Sequence, residues 1–304
     1  MVNPLNDTNS LSILIPTYGR DDVLIQTISA LIALPAPSTK EIFILDQTQR
    51  HHQDCEDQLA HWNDNEIIKW VRIPSPSITV AMNIGLVMST RQHVLFLDDD
   101  VIPEANLLTA HMAAANKYPK AIIAGRVIQP WHKGQVDPIG SPFRFNSLEE
   151  RDHDDFIGCN VSMDRQTALE IGGFDRNFVR VAYRFESEFA SRWRRAGYRI
   201  RYEPSALVEH LKIPAGGTRS YSDHLKTIRP DHAVGRYYYN WRTCSFPNAL
   251  VRSLVSFVQS VYTRHHLRKP WWIPLTLISE LRGFIWSCCL ATRGPELQSP
   301  PPIR

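Results

Sequence analysis

The first hundred residues repeat one pattern, a short and mainly apolar run followed by a segment whose apolar residues recur at helical spacing. Leu11 to Ile15 is such a run and stops at Pro16, as a buried strand does. Beyond it Val23, Leu24, Ile28, Leu31 and Ile32 share one helical face, with Asp21 or Asp22 placed to cap the helix. Glu41 to Asp46 is a second apolar strand and ends in a carboxylate. A helix is predicted over Cys55 to Trp62, a strand over Ile67 to Val71, a helix over Thr79 to Met88 and a fourth strand over His93 to Leu97. Strands apolar on both faces and alternating with helices predict an α/β fold, with a mostly parallel central sheet flanked by helices.

Open sheets of this kind bind ligands beyond the carboxyl ends of their strands. Those ends carry Pro16-Thr17-Tyr18, Asp46 and the triplet Asp98-Asp99-Asp100. The Gly-x-Gly-x-x-Gly of dinucleotide folds and the Gly-Lys-Ser/Thr of P-loops are both absent, which disfavours those classes. Adjacent carboxylates raise one another's pKa, and a divalent cation removes that conflict. Hard oxygen ligands suit Mg²⁺ or Mn²⁺, which also hold phosphate oxygens. The simpler alternative is that Asp100 caps a helix starting near Pro103 and Glu104.

The pattern changes after the triplet. Tyr198 to Val208 alternates like a strand and leads to Glu209-His210. From Asp231 to Tyr262 the chain reads as helical and aromatic-rich. An apolar stretch then runs from Ile273 to Leu290, interrupted by Glu280 and Arg282 and weakened as a spanning helix by Pro274 and Gly283. An amphipathic helix in a membrane interface over residues 264–291 is the expectation, with a helical hairpin packed on the catalytic domain or a second subunit as the alternative. Ser299 to Pro302 reads as a frayed tail.

Composition sharpens this picture at two points. Residues 1–190 hold 16 Lys and Arg against 25 Asp and Glu, whereas residues 191–304 hold 18 against 6. An acidic half thus precedes a basic half suited to anionic phosphates, of lipid or of substrate. No compact basic patch or reading motif points to nucleic acid. The five cysteines (55, 159, 244, 288 and 289) have no metal-ligand spacing and read as thiols of a reducing compartment. No apolar run follows a basic N-terminus, so a cytoplasmic chain, peripheral at the inner face of a membrane, is expected.

The segments SILIPTYGR, EIFILDQT, HVLFLDDDV, GCNVSMDR, IGGFD and EFASRWRRAGYRI stand in the order and rough spacing of family 2 glycosyltransferases, which have the GT-A fold. The resemblance covers about residues 11–219. It implies a catalytic domain over residues 1–219, with a nucleotide-binding half (11–100) and an acceptor half (101–219), followed by a helical, basic and aromatic extension (220–304). It implies that Pro16, Thr17 and Tyr18 line a nucleotide pocket, and that Asp46 accepts a hydrogen bond from the base. Gln47 stands where the family often has a second acid. Asp98 and Asp100 match the outer members of the metal-binding Asp-x-Asp motif, Asp100 the more direct ligand and Asp98 nearer the ribose. His210 would complete the metal or phosphate site, and Arg219 would clamp the pyrophosphate in a lid hinged at Gly216-Gly217.

The family usually has Glu-Asp where this chain has Phe185-Glu186. Glu186 therefore falls on the general base, with Glu188 as the alternative; both also suit the first turn of a helix. Gly172-Gly173 and Asp175 match the acceptor-side segment, or simply form a turn between elements. The implied activity is inverting, divalent-cation-dependent transfer of a hexose or deoxyhexose from a nucleotide-diphosphate sugar to a polysaccharide, glycan or lipid-linked hydroxyl. A fold that binds the sugar nucleotide without catalysis is the alternative, pointed to by Phe185. A nucleotidyltransferase lacks its Gly-rich phosphate loop here.

Overall fold

The computed structural model describes residues 10–35, 39–132, 134–137, 143–221 and 224–298. Its first half alternates as the apolar pattern predicts: β1 (Ser10–Thr17), α1 (Asp22–Ala33), β2 (Thr39–Asp46), α2 (Gln53–Asp64), β3 (Lys69–Arg72), α3 (Ile78–Met88) and β4 (His93–Leu97). These four strands pair in parallel in the order β3-β2-β1-β4.

The second half departs from simple alternation. β5 (Val101–Pro103), α4 (Leu107–Lys117), β6 (Ile122–Ile128), the two-residue β7 (Arg151–Asp152), β8 (Asn160–Asp164), α5 (Arg165–Glu170), α6 (Phe185–Arg195) and β9 (Ile200–His210) follow. β8 inserts antiparallel between β4 and β6, and β5 and β7 pair antiparallel with β9. The sheet is therefore parallel where nucleotide-binding elements were expected and mixed beyond them.

Strand pleating divides the core. Leu11, Ile13, Ile15, Leu95 and Leu97 face α1, α2 and α4, while Leu14, Val94 and Phe96 face α3, α5 and α6. All eight side chains are fully buried.

The extension comprises α7 (Ala233–Thr243), α8 (Phe246–Val261), α9 (Arg264–Arg268) and α10 (Ile273–Arg293). α10, with the turn before it, is the one helix among the described residues long and apolar enough to cross a membrane, at a mean hydropathy of 1.3. Its buried face nevertheless packs on α7. A side chain at Gly283 would stand 2.5 Å from Ala233 Cβ, so the two backbones touch. Glu280 is buried in that interface, accepting from Tyr237 Oη at 2.6 Å and pairing with Arg236 at 3.4 Å. The acid that interrupts the apolar stretch is thus a packing partner of α7, while Ile278, Leu281 and Ile285 on the outer face stay exposed.

A small third core of Phe178, Ala182, Val234, Tyr238 and Leu290 joins the extension to the acceptor half. Residues 294–298 then return over that half. The Gln298 N–H donates to Gly172 O at 2.7 Å, and the Arg176 N–H donates to Glu296 O. Ser299 to Pro302, read as a tail, lie outside the described residues.

Candidate active site

The triplet after β4 is held by its neighbours in three different ways. Thr17, at the tip of β1, donates to Asp99 Oδ2 at 2.6 Å, and Arg20 pairs with Asp99 and, at 3.0 Å, with Asp100. Burial pushes the Asp99 carboxyl up to about 6, only partly opposed by Arg20 and Thr17. Burial acts on Asp100 in the same sense, but His210, Arg20 and the Ile213 N–H outweigh it and hold that carboxyl at about 2.

His210 comes from the far end of β9. The antiparallel register pairs it with Val101, directly after the triplet. Its Nε2 lies 3.1 Å from Asp100 Oδ1 and 3.6 Å from Asp98 Oδ2. The three residues named from sequence as metal ligands are therefore together, and Asp98, 41% exposed at its side chain, opens on the cleft.

Two carboxylates and an imidazole on one wall fit a divalent cation by donor type. Asp98, His210 and Cys159 place potential ligand atoms within 4.8 Å of one another. Burial raises the Cys159 thiol well above its ordinary value, which keeps it protonated and a poor ligand beside the hard oxygens.

A pocket of about 310 Å³ opens beside this wall, lined by Pro16, Thr17, Tyr18, Gln47, Ser77, Asp98 and His210 together with Arg20, Arg180, Lys212 and Tyr221. Pro16, Thr17 and Tyr18 stand where the sequence placed them. Asp46 does not, and this corrects the expectation that it meets a base. It is fully buried, with Oδ1 accepting from the Thr48 N–H at 2.8 Å and Oδ2 from Trp70 Nε1 and His51 Nε2, both at 2.9 Å. His51 also bonds Asp21 at 2.6 Å. Against its burial, hydrogen bonds to Asp46, Cys55 and Asp21 raise His51 to about 11, so an imidazolium holds Asp46 behind the pocket. Gln47, the next residue, lines the pocket instead, its Oε1 accepting from the Ser77 N–H at 2.5 Å.

Arg219 lies in a short 3₁₀ turn, Gly217–Ser220, and its side chain is outside the described residues. Gly216 and Gly217 before it rest on the loop after β1. Gly217 N–H donates to Tyr18 O at 2.7 Å, and a Cβ at Gly216 (φ +76°) would stand 2.5 Å from Arg20 Cγ and 2.6 Å from Gly19 O. Of the cations lining the pocket, Arg20 is engaged by Asp99 and Asp100, while Arg180 and Lys212 escaped sequence reading. Lys212 follows the flagged His210 by two residues, which was a usable signal; Arg180 lies in a loop whose path only the fold reveals.

A second cleft of about 470 Å³ shares Pro16, Ile78, Asp98, His210 and Lys212 with the first and extends to Phe145, Asp155, Gly158 and Glu186. Arg184, in the left-handed region at φ 75°, turns the chain into α6 and sets Glu186 in its first turn. Glu186 Oε1 accepts from the Gly158 N–H at 2.9 Å. Burial, with help from Asp155 and Asp98, raises its carboxyl to about 7.

Glu188, two residues on, points away from the cleft. It is buried against Arg192 Nε (2.9 Å) and Arg242 Nη2 (3.2 Å), so the structure corrects its candidacy as base and makes it an anchor. Asp175 is likewise an internal partner, accepting from Tyr238 Oη at 2.8 Å and pairing with Arg242 at 3.2 Å.

The family model for "Glycosyl transferase family 2" matches residues 12–169. A curated relative, the glucosyl-dolichyl phosphate glucuronosyltransferase of Haloferax volcanii, is 24% identical over 205 residues, and the match spans 62% of each chain. Among solved structures, GalNAc-T7 with UDP, GalNAc and Mn²⁺ aligns at a TM-score of 0.55 and 14% identity, over 66% of this chain and 43% of that one. The mannosyltransferase PcManGT of Pyrobaculum calidifontis, in complex with GDP-Man and Mn²⁺, aligns at 0.52 and 14%, over 93% and 79%. These likenesses establish the GT-A fold.

Proposed function

The chain belongs to glycosyl transferase family 2, and from that premise we propose that it is an inverting, cation-dependent transferase in which Glu186 is the general base. The observation that carries this reading is a carboxyl raised to about 7 in a cleft that shares Asp98 and His210 with the neighbouring pocket. The nucleotide-diphosphate sugar would occupy the first pocket, with Pro16, Thr17, Tyr18 and Gln47 around the nucleoside.

Asp98, Asp100 and His210 would hold Mn²⁺ or Mg²⁺, which supplies charge neutralisation for the departing diphosphate. Arg180 and Lys212, which line the same pocket, orient the diphosphate, with Arg219 of the lid as a further clamp. Glu186 takes the proton from the acceptor hydroxyl as that oxygen attacks the anomeric carbon. A single base with in-line displacement inverts the configuration there. Phe185, in place of the usual acid, packs against Phe174 with ring centroids 5.7 Å apart, so the exchange gains core contact and leaves Glu186 as the one acid of that pair of positions.

The transferred sugar is a hexose or deoxyhexose in this reading, and the acceptor a polysaccharide, glycan or lipid-linked hydroxyl. Association of the extension, residues 264–291 included, with the inner face of a membrane accompanies it. The test is hydrolysis of a panel of UDP-, GDP- and dTDP-sugars with and without Mn²⁺, followed by the anomeric configuration of any product. Turnover by none of them, with donor binding intact, would support the reading of a binding protein that has lost catalysis.

A further inference from the structure

A cavity of about 560 Å³ lies between α7, α8 and the first half of α10. Tyr183 and Arg184 line both this cavity and the Glu186 cleft, so the two share a wall. Arg184, Arg236 and Arg252 face the cavity, and Arg184 stacks over the Tyr183 and Tyr239 rings at 5.4 and 5.8 Å. Glu280 is the acid on its lining. It is buried, and its oxygens are taken by Tyr237 and Arg236.

The surrounding sequence has the same bias. From His232 to Pro295, Glu280 is the sole acid against Arg236, Arg242, Arg252, Arg264, Arg268, Lys269, Arg282 and Arg293. On α8, Val251, Leu254, Val255 and Val258 recur at helical spacing on one face, with Leu254 68% and Val258 65% exposed. Val251 and Val255 turn the edge of this ridge into the cavity itself. An exposed apolar ridge thus leads into a cation-lined cavity that adjoins the acceptor side of the cleft, a layout that matches an amphiphile with an anionic head.

We propose that this cavity binds the phosphate or pyrophosphate of a lipid-linked acceptor, whose hydrocarbon lies along α8 and whose sugar reaches Glu186. The proposal rests on the transferase reading above. It assigns α8, beyond the segment 264–291, to acceptor binding, and names Arg184 and Arg252 as phosphate contacts.

The probe is farnesyl pyrophosphate, titrated calorimetrically into the full chain with UDP or GDP saturating the donor pocket. Saturable binding is expected, weakened at least tenfold by Arg252→Glu and by Val255→Asp. Both residues are exposed, and thermal melts would confirm that the variants fold. Inorganic pyrophosphate and farnesol, each alone, are expected to bind at least tenfold more weakly than the joined molecule. Undiminished affinity in both variants, or competition between probe and nucleotide, would overturn the proposal. Inorganic pyrophosphate binding as tightly as the probe would mark a free-phosphate site and overturn it too. Displacement by an equal concentration of dihexanoyl phosphatidylglycerol would assign the cavity to a bilayer headgroup instead. Donor hydrolysis is scored separately: a chain that turns over no sugar nucleotide yet binds the probe as described would sink the transferase reading and support the site.

Discussion

Replacing Glu186 by Gln removes a charge and changes almost nothing in shape, so its effects on rate and on stability separate cleanly. Holding this carboxyl at about 7 rather than its ordinary 4.5 makes its ionisation cost roughly 3 kcal/mol more in the folded protein than in the unfolded chain. A raised acid favours the folded state in its protonated form. That contribution is complete below 4.5 and is lost as pH rises through about 7. Above pH 7 the native protein therefore carries a penalty that the Glu186→Gln variant lacks, while the amide oxygen of that variant can still accept from the Gly158 N–H. The variant is expected to melt higher at pH 8, by up to about 3 kcal/mol less solvent screening, with the advantage closing towards pH 5. Its turnover should fall about 10²–10⁴-fold. In the native protein the rate should drop as pH falls through about 7, since the base must be ionised. Because Asp98 contributes to the shift, added Mn²⁺ should move that limb to lower pH. Thermal melts and initial rates across pH 5–9 test all of this. A flat rate profile from pH 6 to 8, or a Glu186→Gln protein that turns over normally, would refute the assignment.

Glu188→Gln should act the opposite way, because it strips Arg192 and Arg242 of a buried partner. A stability loss of about 3–5 kcal/mol is expected, with the activity of the folded fraction retained, read by denaturant titration alongside rates. Asp98→Ala removes a half-exposed carboxylate and should raise the Mn²⁺ concentration needed for half-maximal rate by about tenfold or more, and chelation of the native protein should abolish turnover. Gly216→Ala forces a side chain into the left-handed region against Arg20 and Gly19. A cost of about 1–3 kcal/mol is expected, together with a higher donor KM.

The apolar pattern carried the parallel half of the sheet to within a few residues, because β1, β2 and β4 are buried along most of their length, with only the edge strand β3 partly exposed. The mixed half was legible only as a single strand ending at Glu209-His210. Its order depends on β8 inserting between β4 and β6, a choice of pairing that local sequence does not encode. The same limit governs the site. Asp98, Asp100 and His210 were named from motifs, and β5–β9 register brings them together. Asp46 was named from the same kind of motif, yet His51 and Trp70, 5 and 24 residues away in sequence, take its oxygens. A motif places a carboxylate at a strand end. Whether it meets ligand or protein is decided by distant partners. Glu186 and Glu188 show this at closest range, for one faces a cleft and the other faces two arginines within a single helical turn.

The boundary near residue 219 suggests a detachable appendage, but the contacts make α7 part of the acceptor side. Arg180, Ala182 and Arg184 adopt left-handed backbone at φ 62°, 53° and 75°, each costing about 1–3 kcal/mol and kept only where surrounding structure holds it. What holds them is the extension. Phe178 and Ala182 pack on Val234, Tyr238 and Leu290, and Arg242 spans Glu188 and Asp175. Gly235 lets α7 lie against the backbone of Tyr183, where a Cβ would stand 2.5 Å from its O and 2.9 Å from its N. Gly235→Ala should therefore push the segment 180–184 off α7, releasing its strain at the expense of the entrance to the Glu186 cleft. A loss of about 1–3 kcal/mol is expected, together with a fall in transfer rate and, because Arg180 of that segment lines the donor pocket, a fall in donor affinity as well. Melting temperature, donor binding and transfer measured on the same preparation decide it. A Gly235→Ala protein as stable and active as the native one would mean that the acceptor segment keeps its conformation without α7, and that the extension is an appendage after all.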